Sequence, residues 1–362
     1  MTASPAPRVI LDIAHPHHVH LFRNLIARIA REGGESLVVT RHKDVTVELC
    51  DAYRIPHTVL SEARGRGFLR LSVELVSRTV RLHGLARRFR PDALLGTSVS
   101  IGTVGRLLGR PSFVFNEDDR GVAPLFAAAA YPLATAVVTP AALAHERHRN
   151  HLTYPGYQEL AYLHPNHFAP NQESLRACGL RPDEPYFVLR LVALASHHDR
   201  ATRGLSLEAT RALVGLLKAH GRPLITSEAA LPQDLAGFRF PLPPERIHDA
   251  LAFASAYIGD SQTMAIEAGV LGVPSLRCNT FVGHISVLEE LEHRFGLTVG
   301  IPPSQPERVL ETVRGWLAGG AALRAEWRSR RERMLAECVD LSEWQWRLLT
   351  ERVRRHGPPQ AA

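Results

Sequence analysis

Along the first half of the chain, short apolar runs alternate with stretches of helical periodicity. Arg8–Ile13 reads as a buried strand, and His18–Arg31 follows with Leu21, Leu25, Ile26 and Ile29 at helical spacing. Gly33-Gly34 ends that helix, and Ser36–Thr40 is the next strand. A helix over Val45–Tyr53, a strand over His57–Leu60 and a long basic amphipathic helix over Leu69–Arg88 come next. Strands at Ala93–Leu95 and Ser112–Phe115 flank a helix around Gly102–Leu108, and Ala136–Thr139 closes the series. Strands that alternate with helices pair in parallel through right-handed crossovers, which predicts a Rossmann-like sheet.

A Pro- and Asn-rich stretch from His164 to Gln172 interrupts the pattern, which then restarts. Tyr186–Leu191, Pro223–Thr226, Ala256–Ile258 and Pro274–Arg277 read as strands. Helices over Ser206–Ala219, Pro244–Ala252 and Thr263–Leu271 lie between them, and helices dominate from Pro306 to His356. The expected organisation is a Rossmann-like domain over 1–165, a linker over 166–185, a second Rossmann-like domain over 186–340, and a final helix in 341–362 that crosses back onto the first domain. Residues directly after strands are then the places to look for ligand contacts.

Composition narrows the class. Of the 362 residues 45% are hydrophobic and 22% charged, the balance of a globular chain. The formal charge of +7 is carried by arginine, since Lys43 and Lys218 are the only lysines. That bias reads first as genome composition, and second as a preference for phosphate-bearing substrates or an anionic membrane face. Cys50, Cys178, Cys278 and Cys338 lie far apart with no CxxC pair, which fits a reducing compartment. Met1–Arg8 has no basic-then-apolar leader pattern, so a cytoplasmic protein is expected, at most peripheral on a membrane. No Gly-x-Gly-x-x-Gly follows the first strand, and no Walker sequence or Gly-x-Ser-x-Gly elbow is present. Nucleic-acid binding would rest on net charge alone.

The strongest local signal is Ile258-Gly259-Asp260-Ser261-Gln262-Thr263-Met264-Ala265-Ile266-Glu267. A strand ends at its start and a helix begins inside it. Free N–H groups at such a helix start suit a diphosphate. Ser261 and Thr263 add hydroxyls, and Glu267, one turn on, can accept from ribose hydroxyls; the plainer alternative is that Ser261 only caps a helix. The segment resembles the nucleotide-binding motif of non-hydrolysing UDP-N-acetylglucosamine 2-epimerases: Asp260, Ser261 and Glu267 match, while Gln262 and Thr263 replace paired glycines. The chain is more closely similar to the family catalogued as domain of unknown function 354. That likeness is carried by Asp12-Ile13-Ala14-His15-Pro16-His17-His18-Val19-His20, Tyr154-Pro155-Gly156-Tyr157-Gln158-Glu159, Leu189-Arg190 leading to Ala195-Ser196-His197-His198-Asp199, and Thr263–Ala268. It implies an α/β protein of GT-B type, two Rossmann-like domains whose parallel sheets face across a cleft.

Other candidates follow strands. His15 and His18, with His17, occupy the first turn, where a neutral imidazole suits a general base or a helix cap. Because these side chains straddle a strand-to-helix turn, no metal site is expected there. Asn116, Glu117 and Asp118 follow the strand Ser112–Phe115 as an active-site acid or base, a solvated loop or a magnesium site, and Glu117 is the nearest counterpart of the epimerases' active-site glutamate. Ser98 and Ser100 are acceptor contacts or helix starters, and Gly283 and His284 are a sugar-pocket wall or packing. Arg190 and His198 are phosphate or sugar contacts, or an ordinary strand-end arginine and loop residue. The residues and the resemblance together imply a metal- and cofactor-independent glycosyltransferase. It would take a nucleotide-sugar, with UDP the expected base, and an unidentified acceptor deprotonated by Glu117 or a histidine. A 2-epimerase and a non-catalytic nucleotide-sugar-binding protein are the alternatives. The basic helix Leu69–Arg88 is the place for peripheral membrane contact, or simply a covering helix.

Overall fold

The computed structural model describes residues 6–62, 68–177, 179–181, 183–192, 204–227, 229–240 and 242–356. The chain forms two compact units, Met1–His167 with Cys338–Ala362, and Phe168–Glu337. The first runs β1 (Arg8–Ile13), α1 (Pro16–Arg31), β2 (Glu35–His42), α2 (Thr46–Ala52), β3 (His57–Glu62), α3 (Phe68–Phe89), β4 (Ala93–Gly96), α4 (Val99–Leu108), β5 (Ser112–Phe115), α5 (Pro124–Ala130), β6 (Ala136–Pro140), β7 (His151–Tyr154) and α6 (Leu160–Leu163). Its strands form one parallel sheet in the order β3-β2-β1-β4-β5-β6-β7. The order reverses between β1 and β4, which opens a crevice outside their carboxyl ends.

The second unit runs α7 (Gln172–Ala177), β8 (Tyr186–Leu191), α8 (Leu207–Leu217), β9 (Arg222–Ser227), α9 (Ile247–Phe253), β10 (Ala256–Gly259), α10 (Gln262–Val270), β11 (Ser275–Arg277), α11 (Ser286–His293), β12 (Val299–Gly300) and α12 (Pro306–Glu337). Its sheet is also parallel, in the order β12-β11-β10-β8-β9, with the reversal between β8 and β10. The stretch read as a linker is folded: the units divide at His167/Phe168, and α7 packs on α9.

The central strands read as unbroken apolar runs because both faces are covered. Val9, Ile10, Leu11 and Ile13 of β1 are fully buried, as are Val188 and Leu189 of β8. At each reversal a glycine ends one strand where the neighbouring backbone comes too near for a side chain. A Cβ on Gly96 would lie 2.8 Å from Asp12 Cβ, and one on Gly259 would lie 2.8 Å from the Arg190 carbonyl oxygen. Asp12 pairs with Gly96, and Arg190 with Gly259, so the two units share this device.

The last helix, α13 (Leu341–His356), belongs to the first unit, as the sequence predicts. Asp340 starts it by accepting from Glu343 N–H at 3.1 Å, and Trp344 packs on Tyr154. Arg28 of α1 pairs with Glu343 and stacks on Trp346. Among the described residues, Cys50, Cys278 and Cys338 form no disulfide. Among the described residues no helix is long and apolar enough to cross a membrane.

Candidate functional site

In the first unit the crevice is built from the turn after β1 and the loop after β4. His15 caps α1: its Nδ1 accepts from His17 N–H at 3.3 Å, and Pro16 suits the first helical position. His18 Nδ1 accepts from Ala14 N–H at 3.4 Å and lies 2.7 Å from the Thr97 hydroxyl. A backbone N–H only donates, so both rings are fixed as Nε2–H tautomers. Burial, then neighbouring positive groups, lowers the His15 pKa to about 4, and burial pushes His18 well below its ordinary value. In this geometry both rings present a neutral N–H donor. Neither presents the free basic nitrogen that the sequence reading allowed.

His17 is held differently. Its Nε2 lies 3.0 Å from Gln158 Oε1, its Nδ1 lies 3.2 Å from the Tyr162 hydroxyl, and Glu117 Oε1 is 3.6 Å from Nε2. Glu159, fully buried, joins this group, and ligand atoms of His17, Glu117 and Glu159 lie within 4.8 Å of one another. Among the described residues the buried Tyr154 hydroxyl has no hydrogen-bond partner, and its pKa is raised by burial first and then by Glu117 and Glu159. Two carboxylates and an imidazole at this spacing hold either a shared proton or a divalent cation. A second, more exposed set with the same donor types is Asp119, His145 and Glu146.

Beneath the crevice lies Asp12, fully buried, which pairs with the Arg78 guanidinium and accepts from the Ser98 hydroxyl. Arg78 also donates to the Thr40 carbonyl at 3.2 Å. Among the arginines of the long basic helix, it therefore points inward, not to solvent. Ser100 is fully buried with its hydroxyl 2.9 Å from Thr79 Oγ1, so it joins α4 to α3 and does not reach the crevice. Asn116 shapes its own loop, donating to the Asp118 carbonyl at 2.6 Å and the Tyr131 hydroxyl at 2.9 Å. Burial and then Asp119 raise the Asp118 pKa.

In the second unit the reversal between β8 and β10 brings Arg190 beside Asp260 and the start of α10. Ser261 is the N-cap of α10 and accepts from Met264 N–H at 3.4 Å. The N–H groups of Gln262 and Thr263 have no intrahelical acceptor, and residues 261–264 are partly exposed. Asp260 works inside the fold: Oδ1 accepts from Val192 N–H at 2.7 Å, and its carbonyl accepts from Asn279 Nδ2 at 2.9 Å. Glu267 is buried against His248. Gly283 N–H is taken by Glu289 Oε1 at 2.9 Å, so this residue offers no backbone donor, while His284 is exposed. Glu289 also meets the buried Arg277 at 3.0 Å, which braces the loop after β11. His198 lies outside the described residues.

Sequence reasoning missed Glu159, Gln158, Tyr162, Arg78, His248 and Arg277. The first two sit in the Tyr154–Glu159 segment, one of the pieces that carries the family resemblance. The others had no signal, since each matters through a partner remote in sequence.

No protein-family model matches the chain, and no curated protein matches it at significance. Solved structures do. A calicheamicin glycosyltransferase matches with a TM-score of 0.58 at 16% identity, covering 98% of this chain and 100% of its own. Spinosyn forosaminyltransferase matches with a TM-score of 0.60 at 16% identity, covering 95% and 99%. A UDP-GlcNAc 2-epimerase from Neisseria meningitidis, solved with UDP-GlcNAc bound, matches with a TM-score of 0.61 at 11% identity, covering 88% and 94%. With its two parallel sheets, the chain has the GT-B fold of these glycosyltransferases and epimerases.

Proposed function

We propose that this chain is a nucleotide-sugar glycosyltransferase, in which the second unit holds the donor and the first unit supplies the base for an acceptor hydroxyl. The observation that carries the reading is the start of α10 at the β8/β10 reversal, with Ser261, the Gln262 and Thr263 N–H groups and Arg190 together. A helix N-terminus with an arginine beside it stabilises a departing diphosphate without a metal ion. Glu267 is the ribose-reading carboxylate, and UDP is the nucleotide we assign. In the first unit Glu117 is the base, since hydrogen bonds already occupy Nδ1 of His15 and of His18. These two imidazoles then act as neutral donors to the sugar or acceptor. Glu159, Tyr154 and His17 set the protonation of Glu117, and we assign a shared proton to that cluster in place of a cation.

A second reading, 2-epimerisation of the nucleotide-sugar, is favoured by one observation. Loss of the C2 proton as the nucleotide leaves C1, followed by re-addition of both across that C1–C2 bond, needs several acids around one sugar, and Glu159 is grouped with Glu117 and His17. The test is thermal-shift and calorimetric titration with UDP, GDP, TDP and their sugar conjugates, followed by product analysis in EDTA. Slow release of free sugar and nucleotide supports the transferase, and a sugar isomerised without acceptor supports the epimerase. Binding without turnover supports a sensor. If no nucleotide binds, the assignment of α10 is wrong.

A further inference from the structure

The outward face of α3 is apolar at one end and basic at the other. Its inward face is fixed by the buried Leu82 and Ala86, by Arg78 on Asp12 and by Thr79 on Ser100. With that face anchored, Val73, Val76 and Val80 point away from the unit and are 69%, 63% and 65% exposed. Such exposure of three aliphatic side chains at helical spacing is unfavourable in water, and contiguous exposed apolar stripes mark interaction surfaces. The same stripe continues through Gly84 to Arg87, with Arg81 and Arg88 along its flank, all exposed. Glu74 is the helix's one acid, and its carboxylate is taken by Arg41 at 2.6 and 2.8 Å.

We propose that this face of α3 docks on an anionic lipid surface, with the three valines in the acyl–headgroup boundary and Arg81, Arg87 and Arg88 on lipid phosphates. Charge decides between lipid and a second copy of the chain. A twofold contact would set the arginine end against its own copy or against the valine end of the facing helix, and the face offers no free carboxylate to receive it in either case. A layer of anionic headgroups receives all three arginines while the apolar boundary takes the valines. The inference is independent of the sugar-transfer reading. It does bear on the acceptor, since an enzyme held at a membrane surface is placed to meet a lipid-linked hydroxyl.

The test is co-sedimentation of the full chain with phosphatidylcholine vesicles and with vesicles that also contain phosphatidylglycerol, at low and high salt. Binding is expected only to the anionic vesicles, and high salt should weaken it. Val76→Glu with Val80→Glu should weaken it about tenfold or more, as should Arg87→Glu with Arg88→Glu. Both variants should keep the wild-type melting temperature and nucleotide response, which separates lost docking from lost fold. Absence of wild-type sedimentation with anionic vesicles overturns the proposal, as does valine-variant binding equal to wild type. Concentration-dependent dimerisation that Val80→Glu abolishes would assign the face to a second copy instead.

Discussion

His248 Nε2 donates to Glu267 Oε1 at 2.9 Å, and both side chains are buried. Glu267 is therefore a carboxylate held in place by α9, and a purely surface acid on α10 is excluded. If it reads the ribose, His248 is a positioning residue. His248→Ala leaves the buried carboxylate without this donor, an effect of about 1–3 kcal/mol. Nucleoside diphosphate affinity measured by calorimetry should fall at least about tenfold in Glu267→Gln and also in His248→Ala. His248→Gln, which restores a donor, should recover part of the loss. Equal affinity in His248→Ala and wild type would remove the positioning role.

The Asp12–Arg78 pair is a deeply buried ion pair of the first unit, and it braces β1 against α3 beneath the histidine turn. Breaking a buried pair from one side leaves an uncompensated charge, at about 3–5 kcal/mol. Arg78→Ala should lower the unfolding free energy read from a urea titration by that much, with the midpoint falling in step. The double variant Asp12→Asn with Arg78→Met should be closer to wild type. Arg78→Ala with wild-type stability would mean that water reaches Asp12.

The two parallel sheets, the strand-to-helix turns and the place of α13 were legible in the sequence, because buried parallel strands are continuous apolar runs and α10 carries its own cap. Ser261 illustrates the limit of that reading. Its side chain caps the helix, while the N–H groups of the partly exposed Gln262 and Thr263 stay without an intrahelical acceptor. Polar partners across the fold were not legible. Nothing in the spacing places Gln158 or Glu159 beside His17, some 140 positions away, and nothing in the basic helix marks Arg78 as the partner of Asp12. Short elements such as β7 and β12 were missed, since so few residues carry little periodicity.

The histidine turn predicts a pH dependence of stability. His15, with a folded pKa of about 4 against an ordinary 6.5, and His18, which burial pushes well below that ordinary value, stay neutral in the native state. The unfolded chain protonates both as pH falls through about 6.5. Their stabilisation is complete above that value and is lost as pH falls from there towards the folded pKa values. The melting temperature should drop between pH 7.5 and 4.5, and His15→Gln with His18→Gln should flatten the drop. An unchanged slope in the double variant would show that other groups carry it.

Gly204 tests the geometry of the second unit's reversal point. A Cβ there would lie 2.2 Å from Asp260 Oδ2 and 2.6 Å from Asp260 Cβ, so turning the carboxylate alone does not clear it. Asp260 is anchored by Val192 N–H and by Asn279, which leaves displacement of the chain at Gly204 or at Asp260 as the relief. Either movement disturbs the entry to α8 or the entry to α10. Overpacking of this kind costs about 1–3 kcal/mol. Gly204→Ala should therefore lose nucleotide affinity out of proportion to its loss of melting temperature, because the core of the second unit is untouched. Gly215 of α8 is the control: a Cβ there meets nothing within 4 Å, so Gly215→Ala should keep both affinity and stability. Should Gly204→Ala bind nucleotide as wild type does, the diphosphate does not sit at the Asp260–Thr263 turn.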